Sequence, residues 1–152
     1  MLNSIRGTQG MAVAPHATAA QSALAVLREG KPATFQFIIL LAHDPDAARL
    51  AVDGSQPLVF LADGVRFVTE DQSAIARERM DYAAAKAVHT YTCNVTEEIV
   101  RALGAAKRAA VRVPCKGTPY DHYFNAVELR RFAIFVEVFL PKLSSTKTEV
   151  AP

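Results

Sequence analysis

Cysteine is scarce: Cys93 and Cys115 are the only two in 152 residues, too few for a disulfide framework. Long apolar runs are missing too. Phe35 to Ala42 (FQFIILLA) is the longest candidate, far below the roughly 18 to 20 residues that span a bilayer, and it reads as a buried strand. The opening stretch MLNSIRGTQGMAVAPHATAA has one Arg and no continuous apolar core, which argues against a secretory signal and makes the cytoplasm the expected compartment. No charge of one sign dominates, with 17 Lys and Arg against 15 Asp and Glu for a net +2. That even balance points away from nucleic acid and from a membrane surface as partners, and makes the scattered Arg and Lys solvated faces. With 7 glycines and 8 prolines the chain is no low-complexity linker, and its length suits one domain with a real core.

What is present divides by texture. Residues 1–14 read as a flexible lead and 143–152 (LSSTKTEVAP) as a disordered tail. Between Pro15 and Gly30 the chain is Ala-rich, with Ala20, Leu24 and Leu27 on one helical face and Gly30 and Pro32 as stop signals. This predicts an N-terminal helix over 15–30. The α+β domain proper spans 33–142. Strands are expected at 35–42, over a short stretch at 49–53, and at 58–62 and 65–68 around Asp63-Gly64, a two-residue hairpin signal. Residues 72–87 favour helix by composition. Residues 88–95 alternate as a strand, with His89, Tyr91, Cys93 and Val95 on one face. A helix capped by Asn94 or Thr96 should run to about Lys107, followed by strands at 109–113 and 120–124. Asn125-x-x-Glu128 is a capping box that opens a largely buried helix over 126–140, ended by Pro141. The expectation is a single α+β domain, a largely antiparallel sheet with three or four helices.

One segment has a counterpart elsewhere. Gly10, Met11, Ala14, Pro15, His16, Ala20, Leu24, Leu27, Arg28 and Gly30 together resemble the start of the large subunit of the gamma-glutamyltransferase family. That family opens with Gly-Met and Ala-Pro-His before an Ala-rich helix ending Leu-Arg-x-Gly. The resemblance covers Gly10 to Gly30 and then stops. It implies a truncated or fused relative without catalytic residues, because the family's Thr-Thr-His type nucleophile motif has no counterpart in this chain.

Several groups carry chemistry in principle. Cys93, Cys115, His89 and His122 are two thiols and two imidazoles, the composition of a tetrahedral zinc site, but their spacing fits no zinc-finger pattern. Buried thiols and unrelated histidines are the plainer reading. Cys115 beside Lys116, with Asp121-His122 across a turn, has the ingredients of an activated thiol. Yet Asp121 and His122 are neighbours on a strand and point to opposite faces. His43-Asp44-Pro45-Asp46 reads as turn chemistry. No set combines nucleophile, base and orienter, so no catalytic, cofactor or metal residue is assigned. Phe132, Ile134, Phe135, Val136, Val138 and Phe139 are apolar nearly all round one segment. That surplus predicts a protein partner or a homo-oligomer.

Overall fold

The computed structural model describes residues 19–28, 34–44, 52–69 and 74–149. In chain order these form β1 (Ala19–Arg28), β2 (Thr34–His43), β3 (Val59–Ala62), β4 (Val65–Val68), β5 (Ile75–Asp81), β6 (Lys86–Val95), α1 (Glu97–Ala105), β7 (Ala109–Val113), β8 (Tyr120–Tyr123) and α2 (Ala126–Glu149). The architecture is α+β with two four-stranded sheets, in the orders β1-β2-β6-β5 and β4-β3-β7-β8. Every strand pairing is antiparallel.

Period-2 burial organises both sheets. On β2, Phe35, Phe37, Ile39 and Leu41 face inward, and on β6 so do Tyr91, Cys93 and Val95. The second sheet answers with Phe60, Ala62, Val111 and Val113 in the same core. Phe37 and Phe60 meet edge to face across the layers at 5.0 Å. Helix α2 extends the second layer beyond β8: Phe132 packs on Phe124, and Phe135 on Phe35. It thereby covers the inward side of β1. Helix α1 carries the chain from the first sheet to the second and lies against α2.

Several expectations need correction. The helix predicted over 15–30 is strand β1 through residues 19–28, and its remaining positions, like the lead 1–14, lie outside the described residues. Ala20, Ser22, Leu24 and Val26 turn toward the core and pair against Leu41, Ile39, Phe37 and Phe35 of β2. Leu24 satisfies a helical and an alternating pattern equally, and a ten-residue partner strand offers more than the intrinsic helix preference of alanine. Of the helix expected over 72–87, residues 74–87 are likewise not helical; they give β5 and a turn at 82–85 leading into β6, and residues 72 and 73 lie outside the described residues. The described helices therefore number two, against three or four expected. Pro141 does not end the last helix, and the tail expected at 143–152 is helical as far as Glu149. Proline removes one backbone donor and crowds the carbonyl four residues back, at Glu137, while the flanking turns keep theirs. Of the short strand at 49–53, Val52 makes one bridge to Cys115, and residues 49–51 lie outside the described residues, as do Pro45 and Asp46 of the predicted turn.

Other local signals appear as read. Asp63 and Gly64 both take positive φ, 47° and 87°, at the β3–β4 turn. Thr96 caps α1, accepting from the Ile99 amide at 3.2 Å, and the helix stops at Ala105 rather than at Lys107. Asn125 and Glu128 form the reciprocal capping box of α2.

Candidate functional site

The four residues considered for a metal are divided among different partners. Cys93 lies within β6 opposite Phe37, and Cys115 follows β7 in the other sheet, with its Sγ 3.7 Å from the Val113 carbonyl. Both are buried, and neither is in a disulfide. Burial pushes the Cys115 thiol up to about 11, the opposite of an activated thiolate. His89 turns to His43, and His122 to Glu128. Among the described residues, no three His, Cys, Asp or Glu side chains converge as a metal set. Asp121 does not orient His122: it accepts from Arg112 Nε at 2.9 Å and Nη2 at 3.3 Å, on the opposite side of β8 as strand parity requires.

His43 and His89 are buried at adjacent inward positions of β2 and β6. Their Nε2 atoms lie 2.9 Å apart. The ring centroids are 5.0 Å apart and the rings only 18° from parallel, so the two imidazoles meet nose to nose rather than face to face. One proton fits between them. His43 Nδ1 lies 2.8 Å from the Asp44 carbonyl, which can only accept, so Nδ1 carries a proton. Neutral His43 then accepts at Nε2, and His89 donates from its own Nε2. Burial lowers the His89 pKa; Glu78, 3.9 Å away, pulls it upward and loses. Val52, Ala76, Arg77, Glu78 and Lys116 complete a shallow cleft over His89.

The second cluster joins three elements. Glu128 at the start of α2 is 4% exposed. Ser22 Oγ of β1 donates to its Oε2 at 2.6 Å, His122 Nε2 of β8 lies 2.9 and 3.0 Å from its two oxygens, and the Asn125 amide donates at 3.0 Å. Burial pushes the Glu128 carboxyl up, but the bonds from His122, Ser22 and Asn125 outweigh it and hold the pKa below its usual value. Serine, histidine and a carboxylate are the members of a hydrolytic triad, yet the wiring differs. Serine and histidine both give their protons to the carboxylate, so the imidazole is not on the serine hydroxyl and cannot act as its base. A carboxylate held ionised is also a poor acceptor for that proton. The cluster is a polar staple between β1, β8 and α2. The capping box was legible in the sequence; the arrival of Ser22 and His122 at the same carboxylate depends on tertiary packing.

The outer face of α2 is the third feature. Val127, Ile134 and Val138 are 58%, 49% and 49% exposed. At 100° per residue they fall within an arc of about 40°. Phe132 and Leu140, buried, project from the opposite side. Phe139, packed on Phe135 at 4.8 Å, is 41% exposed at the flank. Among the described residues no helix is long and apolar enough to cross a membrane.

No family model matches the chain, and no curated protein is similar to it.

Proposed function

We propose that this chain is a non-enzymatic α+β domain whose work is protein interaction, with the outer face of α2 as its docking surface. The carrying observation is the exposure of Val127, Ile134 and Val138 along one line of a helix whose opposite side already fills the core. Large apolar side chains aligned on a helix face and left in water are characteristic of interaction surfaces. The polar clusters support the same reading: the Ser22 hydroxyl is committed to Glu128, and the Cys115 thiol is held protonated by burial. A kinship of Gly10 to Gly30 with gamma-glutamyltransferases would bring this chain a segment rather than an activity, since the catalytic threonine motif has no counterpart.

The test uses a fluorescent apolar dye and the full chain, diluted until it sediments as one copy. The wild type should bind the dye, and Ile134→Asn combined with Val138→Asn should remove most of that binding with the thermal midpoint little changed. A wild type that leaves the dye unbound overturns the docking surface.

A further inference from the structure

We infer that the occupant of this face is a second copy of the same chain, its α2 packed antiparallel across a two-fold axis at Ile134; the inference rests on the docking surface proposed above. The argument comes from two charges. Arg130 and Glu137 are both exposed, and they lie on the same flank of the apolar line, one on each side of Ile134. On a helix, charges find partners three or four residues away. For Arg130 those neighbours are Ala126, Val127, Ala133 and Ile134; for Glu137 they are Ala133, Ile134, Leu140 and Pro141. All are uncharged. Among the described residues neither side chain has an ion pair. Any protein complement for them therefore comes from outside the helix.

A perpendicular two-fold axis through Ile134 supplies it. The operation reverses the helix and keeps each flank on its own side. Glu137 of the second copy then stands on the same flank as Arg130, offset along the axis by about one residue's rise of 1.5 Å. Symmetry repeats the pair, so both copies lose both orphan charges. The same operation sets Ile134 against Ile134, and Val127 against Pro141 of the second copy. The apolar line is closed at the centre and bounded by opposite charges, the arrangement of a self-complementary patch. An unrelated partner needs no such internal match between two positions seven residues apart.

Light scattering and sedimentation of the full chain across a concentration series test this. The wild type should reach twice the 16.5 kDa chain mass. Ile134→Asp should return it to one chain mass. Arg130→Glu alone and Glu137→Arg alone each place like charges together twice, and each should weaken association about tenfold. The combined Arg130→Glu, Glu137→Arg chain should regain most of it. These exchanges are on the surface, so circular dichroism and thermal midpoint should stay those of the wild type. A wild type of one chain mass at every concentration overturns the self-pairing, and so does a combined variant no better than its parents. If that wild type still binds the apolar dye, the docking surface survives with a different occupant; if it does not, both readings fall.

Discussion

At Gly104 helix α1 comes close to Val136 and the Phe132 backbone of α2. A Cβ built there would stand 2.4 Å from Val136 Cγ2 and 3.2 Å from the Phe132 carbonyl oxygen. Alanine in a helix interior gains about 1 kcal/mol over glycine, but Val136 is branched at Cβ and cannot swing its methyl away cheaply. Overpacking of this kind costs about 1–3 kcal/mol, so Gly104→Ala should be net destabilising. Urea unfolding should show a lower midpoint, largely recovered by adding Val136→Ala. Asp63 is the opposite case, a residue whose turn preference and side chain agree. It holds φ at 47°, and its carboxylate accepts from the Lys107 amide at 3.0 Å and the Arg108 amide at 2.9 Å. Asp63→Ala should lower the denaturation midpoint by unpairing these donors and straining the turn. Asn at this position retains an acceptor and tolerates positive φ, so it should lose less. Asp63-Gly64 was readable in advance because its requirement is local; the grip on the loop after α1 was not, since it joins positions 44 and 45 residues apart.

At the level of elements, β1 shows where sequence patterns stop deciding. Ala20, Leu24 and Leu27 make a helical stripe, while Ala20, Ser22, Leu24 and Val26 make an alternating one. β2 selects between them by pairing. β2, the β3–β4 hairpin and β6 were legible because their alternation or turn chemistry admits one answer. His89, His122, Cys93 and Cys115 were picked out by chemistry alone, and their actual partners, His43 and Glu128, follow from register and from the turn into α2. The Ser22–Glu128 bond gives β1 a second attachment beyond its ladder. Ser22→Ala removes the 2.6 Å donor from a buried carboxylate and should cost about 1–3 kcal/mol. The pH dependence gives the sign. Glu128 has a folded pKa below its unfolded value of 4.5, so its contribution is present above that value and is lost as pH falls through the folded one. Loss of the serine donor raises the folded value, so Ser22→Ala should narrow this acid-dependent contribution as well as lower the neutral-pH midpoint. An unchanged acid titration of stability would show that the hydroxyl gives the carboxylate nothing.

For the whole molecule, the His43–His89 pair sets an acid limit. His89 has a folded pKa below the ordinary 6.5, so below that pH the unfolded chain binds more protons than the folded one, and stability falls as pH drops through the window beneath 6.5. Denaturation midpoints measured between pH 7.5 and 5 should decline, and His89→Asn should flatten the decline. A parallel slope in that variant would remove the pair from the account. At the same scale, β1 ties residues 19–28 into the body of the fold through its ladder with β2 and its contact with α2. Removing residues 1–31 deletes an edge strand from one sheet and uncovers Phe135 and the edge of β2, so the truncated chain should lose its cooperative thermal transition.

The bond between Ser22 and Glu128 spans 106 residues, and this has a consequence for synthesis. β1 is made well before α2, yet the carboxylate that holds it and the aromatic ring that covers it belong to α2. Residues 19–28 must therefore wait, apolar side half shielded at best, until α2 has been made. Long-range closure of this kind slows folding, and a waiting strand with an open edge is a template for other chains. Stalled or truncated products that end before Glu128 should accordingly aggregate more than those that include α2.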